Sequence, residues 1–286
     1  MKTLLRITAL VPSTLTDALT LHLTMNAPGG WQEEERPDGR TAFTLHLDQG
    51  PAAQALEQDI AARWPEAEIT RDEIQEQDWA LAWREFFTPV HAGSTFTVLP
   101  PWLADQAPAG RIPIVIEPKQ AFGTGHHGTT ALCLGALAGL REAGLLHPGD
   151  DFLDLGTGSG ILALGCCLLG LHGVGLDIDP LAIENAVENR DINGAQQSLH
   201  LAVGSLEALA PERTFRLVLA NILAGPLKVM APQLRARVAP GGCLVLSGIL
   251  TEQADSVADA YTALGLPAPR RENSGEWTAL VWEQVA

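Results

Sequence analysis

The feature that most narrows what this chain can fold into is residues 152–164, FLDLGTGSGILAL. Phe152-Leu153-Asp154-Leu155 reads as a buried strand, Gly156-Thr157-Gly158-Ser159-Gly160 as a sharp turn, and the apolar run from Ile161 as a helix. The closely spaced glycines let the backbone turn tightly and approach a ligand, with free N–H groups at the helix start facing it. A second short apolar strand, Val174-Gly175-Leu176, ends at Asp177, a carboxylate at a strand tip where ribose hydroxyls bind. Strand, glycine turn, helix and a second strand ending in an acid point to parallel strands joined by helices, with a ligand at their C-terminal edge.

The glycine spacing separates two cofactor classes. A dinucleotide turn follows G-x-G-x-x-G and seats a pyrophosphate on the helix N-terminus, whereas here the glycines stand at 156, 158 and 160. The earlier third glycine favours S-adenosylmethionine, which carries no phosphate and leaves the loop only an adenosine and a methionine end to hold. An NAD-type oxidoreductase, a non-catalytic cofactor-binding module and a purely structural turn are the competing readings at this point.

Composition sets the outer bounds. At 286 residues and 46% hydrophobic content, the chain has the length for one large domain and a small one. No apolar run reaches the ~18 residues that span a bilayer. The opening MKTLLRITALVPST alternates like a strand and lacks a signal-peptide core. Cys133, Cys166, Cys167 and Cys243 have neither zinc-ligand nor disulfide-framework spacing, and read as buried free thiols. The formal net charge of −16 argues against a nucleic-acid backbone as direct partner. It allows a basic protein partner and serves plain solubility equally well. The expectation is a cytoplasmic monomer that binds no metal, no DNA and no membrane.

Residues 1–74 read as a unit of their own. Leu5, Ile7, Ala9 and Val11 alternate as a strand, and Leu15, Leu19 and Leu23 fall at helical spacing. A hairpin turning at Pro37-Asp38-Gly39, a helix opened by Pro51, and a strand over about 66–74 complete the order βαββαβ, the ferredoxin-like arrangement. Residues 75–110 read as a connector in which Trp79, Trp83 and Phe86 or Phe87 recur at helical spacing, as a docking helix or a plain core stripe.

From 111 to 286 strands and helices alternate. A strand at 114–116 leads into the loop AFGTGHHGTT at 121–130, and a helix follows to about 142. After Asp177 come a helix capped by Asp179-Pro180, strands at 199–203 and 215–220, Asn221 at the tip of the latter, and one helix through Leu227 and Leu234. A strand at 243–246 opened by Gly241-Gly242, a helix over about 252–264, and a strand at 276–282 antiparallel to one near 269–273 close the chain. Such alternation means a parallel sheet covered on both faces, with Gly156, Asp177 and Asn221 gathered at its C-terminal edge.

FLDLGTGSGILAL, GLDIDPLAIENAVEN, LANIL and GGCLVLSGIL resemble the Rossmann-like, S-adenosylmethionine-dependent methyltransferases. EPKQAFGTGHHGTT, ANILAGPL, LSGIL and the terminal GEWTALV are similar to one family among them, the bacterial ribosomal protein L-eleven methyltransferases. The AFGTGHHGTT loop is the most specific of these elements. The resemblance has specific motifs from DWALAWREFF to the C-terminus and covers residues 1–74 by architecture alone. It implies an α/β class I domain, with a mostly parallel seven-stranded sheet and helices on both faces, preceded by a small α+β ferredoxin-like domain that recognises the substrate. It further implies transfer of methyl groups to lysine side chains and the N-terminal amine of a basic large-subunit ribosomal protein, free or on the subunit, with S-adenosylhomocysteine as product. Thr130, Gly156, Asp177 and Asn221 match the family's cofactor-contacting positions.

An amine must arrive neutral to attack a sulfonium methyl, and a free lysine has a pKa of about 10.4. Desolvation and the sulfonium charge both lower it, so a strong base is not obligatory. Asn221 offers a neutral carbonyl to the amine, where an aspartate would favour the ammonium; otherwise it merely ends a strand. Gly158 belongs to the same cofactor turn, and Thr129 and Thr130 offer hydroxyls to the methionine end. Phe122 reads as a lid with Gly123 and Gly125 as hinges, and Trp277 as an active-site wall or a core aromatic. His126 and His127 lack a third metal ligand and fit loop support instead. A methyltransferase for another protein, for RNA or for a small molecule is the alternative, with the charge against RNA.

Overall fold

The computed structural model describes residues 3–27, 30–36, 38–75, 89–118 and 128–285. The chain divides into two compact units, Met1–Phe87 and Thr88–Ala286. In the first, β1 (Thr3–Pro12), a helix Thr16–Asn26, β2 (Gln32–Glu35), β3 (Arg40–Asp48), a helix Pro51–Arg63 and β4 (Glu68–Gln75) follow one another. The strands pair antiparallel in the order β2-β3-β1-β4, the ferredoxin-like arrangement expected from the alternation. Ala9 and Val11 of β1 pack with Leu19, Leu23, Phe43, Leu45 and Ile60 in the core, while the intervening Arg6, Thr8 and Leu10 stay outside it. Alternation along a strand sends successive side chains to opposite faces, so this is a sheet covered on one side.

The second unit opens with a small sheet of β5 (Val90–Ala92), β6 (Phe96–Leu99) and β7 (Ile112–Val115), β5 antiparallel and β7 parallel to β6. After the helix Gly128–Glu142 come β8 (Asp151–Leu155), helix Ile161–Leu168, β9 (His172–Asp177), helix Pro180–Ile192, β10 (Leu199–Val203) and β11 (Phe215–Asn221). Two short helices, Ala224–Val229 and Ala231–Arg237, precede β12 (Val238–Leu250), a helix Ala254–Thr262, β13 (Arg270–Ser274) and β14 (Trp277–Val285). The seven-stranded sheet runs β10-β9-β8-β11-β12-β14-β13. Its first five strands are parallel, and β14 pairs antiparallel with both β12 and β13.

This sheet is covered on both faces. Phe152, Leu217 and Leu219 pack with Leu134, Leu137 and Leu162 on one side. Leu153, Leu155, Val218 and Ala220 pack with Leu227, Leu234, Val257 and Tyr261 on the other. Runs dominated by apolar residues at β8 and β11 are what such double burial requires, each large side chain contributing roughly 1.5–3 kcal/mol. All four cysteines are free, and burial raises their thiol pKa values. Among the described residues no helix is long and apolar enough to cross a membrane.

Three local expectations change. The single helix through Leu227 and Leu234 is two, divided at Met230 (φ −87°, ψ 6°), because Pro232 has no N–H to give the carbonyl of Lys228. β7, expected at 114–116 ahead of the AFGTGHHGTT loop, spans Ile112–Val115 and pairs with β6 in the small sheet. β12 begins at Val238 and runs through Gly241, whose φ of +73° accompanies a shift of register against β11. The aromatic run holding Trp79, Trp83, Phe86 and Phe87 lies outside the described residues.

Candidate functional site

Strand registers bring three of the anticipated residues into one row. Leu155 sits opposite Leu176 of β9 and Ala220 of β11, Asp177 opposite Val203 of β10, and Asn221 opposite Ser247 of β12. One step further along, Gly156 therefore stands between Asp177 and Asn221 at the ends of three adjacent strands. The chain order reverses here, β9 and β10 lying to one side of β8 and β11 and β12 to the other. Ligands of open α/β sheets bind at such a reversal. A pocket of about 490 Å³ occupies the place, lined by Thr130, Gly156, Gly158, Asp177 and Asn221, with Ile178, Leu223 and Met230 among its apolar walls. Its size suits a small-molecule or cofactor ligand.

The glycine turn is anchored by backbone bonds. The N–H groups of Gly156 and Thr157 both donate to the Leu176 carbonyl, at 2.8 and 3.0 Å, and Gly158 N–H donates to Asp177 Oδ2 at 2.9 Å. At Gly156 the φ is +73°, and a Cβ there would lie 2.4 Å from Ile222 Cγ2. Only glycine fits both constraints. Asp177 Oδ1 accepts from Asp179 N–H at 3.0 Å, so two backbone donors fix the carboxylate and leave each oxygen a further lone pair for a ligand. Asp179 in turn caps the helix Pro180–Ile192, its Oδ1 accepting from Leu181 N–H at 2.9 Å.

Asn221 Oδ1 is buried and has no hydrogen-bond partner among the described residues. A buried acceptor left open in a pocket-lining residue is a place for a ligand donor. Thr130 lines the pocket; Thr129, assigned with it to the methionine end, does not. Adjacent helical residues point about 100° apart, and Thr129 is buried elsewhere. Trp277 is also absent from the lining. It packs against the start of the helix Gly128–Glu142, where a Cβ on Gly128 would lie 3.3 Å from Trp277 Cδ1. Phe122, Gly123, Gly125, His126 and His127 lie outside the described residues. Among the described residues no cluster of three or more His, Cys, Asp or Glu has the arrangement of a metal site.

Two features of the site escaped the sequence reading. Asp154 is fully buried, its Oδ2 accepting from Thr157 Oγ1 at 2.7 Å and from Ala163 N–H at 3.2 Å. It ties strand, turn and helix together, while its Oδ1 has no partner among the described residues. Burial pushes its carboxyl up to about 6, and the nearby Asp177 charge adds to the effect against the two hydrogen bonds. The signal was an acid inside the apolar run 152–155. The second feature is the set Asn185, Asn189 and Asn193, signalled only by their spacing of four along one helix and its C-terminal cap.

The chain matches the family profile described as ribosomal protein L11 methyltransferase (PrmA) over residues 32–284. The ribosomal protein L11 methyltransferase of Myxococcus xanthus is 40% identical over 243 residues, covering 85% of this chain and 81% of that protein. That of Thermus thermophilus is 42% identical over 211 residues, covering 74% and 79%. Among solved structures, a ribosomal protein L11 methylase from Lactobacillus delbrueckii subsp. bulgaricus superposes with a TM-score of 0.61 at 28% identity, over 70% of this chain and all (100%) of that one.

Proposed function

The chain belongs to the ribosomal protein L11 methyltransferase family, and we propose that the pocket at the ends of β8, β9 and β11 is where methyl groups pass from S-adenosylmethionine to that ribosomal protein. The enzyme is an S-adenosylmethionine-dependent methyltransferase acting on protein lysines. The observation that carries the site assignment is the row Asp177, Gly156, Asn221, with a fixed carboxylate at one end and an open neutral acceptor at the other. The residues fit the cofactor: the Gly156 turn, which only glycine can make against Ile222, lines the pocket, and Asn221 Oδ1 there has no partner among the described residues. When bound, S-adenosylmethionine supplies an electrophilic methyl group on a positive sulfonium.

In this reading Asp177 takes the ribose hydroxyls, and Gly156, Gly158 and Thr130 take the amino-acid end. Asn221 accepts a hydrogen bond from the incoming amine and aims its lone pair. Its neutrality matters, because a carboxylate there would hold the lysine as ammonium. Apolar contact with Ile178, Leu223 and Met230 once the substrate covers them, together with the sulfonium charge, lowers the pKa of the lysine from its free value of about 10.4. Positioning then does the remaining work. The unit Met1–Phe87 serves as the recognition module, and the N-terminal amine of the substrate is methylated along with its lysines.

Incubating the full chain with ribosomal protein L11 and isotopically labelled S-adenosylmethionine, followed by mass spectrometry, tests the reading. Label should appear on lysines and on the N-terminal amine. A fragment starting at Thr88 should bind S-adenosylhomocysteine yet fail on intact L11, since it lacks the second surface that raises the effective concentration of the amine. Equal activity of fragment and full chain would remove the recognition role from the first unit.

A further inference from the structure

Asn185 and Asn189 of the helix Pro180–Ile192, and Asn193 just after it, stand four residues apart. The last two bond the backbone of β7 and the residues just beyond it. Asn193 Oδ1 accepts from Val115 N–H at 2.9 Å and its Nδ2 donates to the Val115 carbonyl at 2.6 Å. One helical turn earlier, Asn189 Oδ1 accepts from Glu117 N–H at 2.8 Å. Four helical residues rise about 6.0 Å and two extended residues about 6.6 Å, so successive turns of the helix meet alternate residues of the extended chain. Side-chain amides thereby take the place of a neighbouring strand.

Asn189 does something its neighbour Asn193 does not. Its Nδ2 donates to the Ser159 carbonyl at 2.9 Å, inside the glycine turn, and to Asn185 Oδ1 at 3.0 Å. Both donor hydrogens and the carbonyl are thus in use, in a side chain that is 0% exposed. One carboxamide joins the turn beneath the pocket to the backbone at Glu117, which leads into the AFGTGHHGTT segment. Asn189 itself is not among the residues lining the pocket.

We propose that Asn189 is a positioning residue for methyl transfer, holding the backbone at Glu117 in a fixed place against the turn that carries the cofactor. The proposal rests on the function assigned above. The link is stiff because breaking either bond leaves a polar group stranded in the core.

The test compares Asn189→Leu with Asn193→Leu in the full chain. Asn193 bonds Val115 and the Asn189 carbonyl but not the turn, so a merely structural ladder requires similar losses in both variants. Asn189→Leu should raise KM for S-adenosylmethionine and lower kcat, each by about tenfold. Asn193→Leu should leave both within about twofold. Amide hydrogen exchange on the wild-type protein gives a readout that does not depend on either variant folding: S-adenosylhomocysteine should slow exchange at Glu117 together with Gly158. Matching kinetics in the two variants, or exchange at Glu117 indifferent to S-adenosylhomocysteine while Gly158 is slowed, overturns the proposal. No slowing at Gly158 in the wild type overturns the functional reading itself, and this inference with it.

Discussion

At the starting end of β8 and β11, polar groups close on one another. Asp151 accepts from the Arg216 backbone N–H and pairs with the Arg213 guanidinium, both at 2.8 Å, while Arg213 lies 4.6 Å from the centre of the Phe215 ring. The Arg216 guanidinium donates to the carbonyls of Leu145 and Gly241. At the finishing end of the same two strands, Asn221 Oδ1 and Asp154 Oδ1 are buried without partners among the described residues, and the turn is held by glycines at positive φ. The two ends share a sheet and a core, so the difference is local. Hydrogen-bonding capacity is consumed at the end away from the pocket and left open at the end where Asn221 lines it.

Substitutions at the two ends should therefore separate stability from binding, and the largest effect should come at Gly156. Gly156→Ala puts a Cβ against Ile222 in a left-handed conformation. It should abolish calorimetric binding of S-adenosylhomocysteine and destabilise the fold by about 2–4 kcal/mol. Arg216→Ala, at the opposite end, should lower unfolding free energy by about 2–3 kcal/mol in denaturant titrations, because it strands two carbonyls. Its cofactor affinity should be that of the wild type, and a large loss of affinity would break the comparison.

Asp154 sharpens the comparison through pH. Its carboxyl has a folded value of about 6 against an ordinary 3.8, so between those values the folded chain keeps a proton that the unfolded chain releases. The stability contributed by this group falls as pH rises through that window and is level above it, a change on the order of 3 kcal/mol. The unfolding free energy of wild type minus that of Asp154→Asn should show that fall between about pH 4 and pH 7. A pH-independent difference would mean that Asp154 stays ionised throughout. The smallest effect on the fold should come from Asn221→Ala, which lowers kcat about tenfold yet leaves thermal stability unchanged or slightly raised, since the acceptor it removes has no partner among the described residues.

What the sequence revealed of this arrangement was its local chemistry. Glycine spacing, a carboxylate at a strand tip and an asparagine after an apolar strand each state a backbone or solvation requirement within a few residues, and the registers then bring Gly156, Asp177 and Asn221 into one row. The alternating pattern of residues 1–74 was equally readable, because a sheet covered on one face shows its period directly. The neighbours of β7 were not legible, because an apolar run says nothing of what borders it. Its edge at Val115 is taken by the side chain of Asn193, 78 residues further along the chain. Thr129 and Thr130 differ by a single helical step, which no composition rule resolves, and Trp277 suits a core as well as a pocket wall. The spacing of Leu227 and Leu234 suggests one helix, whereas Pro232, with no N–H to donate, decides where it breaks.

The row at the strand ends also fixes an interval. Neighbouring strands stand about 4.8 Å apart, so the path from Asp177 across Gly156 to Asn221 measures two such spacings, about 9–10 Å at the backbone. The hydrogen-bond pitch of the sheet thus acts as a gauge: a ligand engages both proposed end groups only if its ribose and its reactive carbon are separated to match. Substitution can change what stands at either mark. It cannot change the distance between them, because the interval belongs to the peptide backbone and to no side chain.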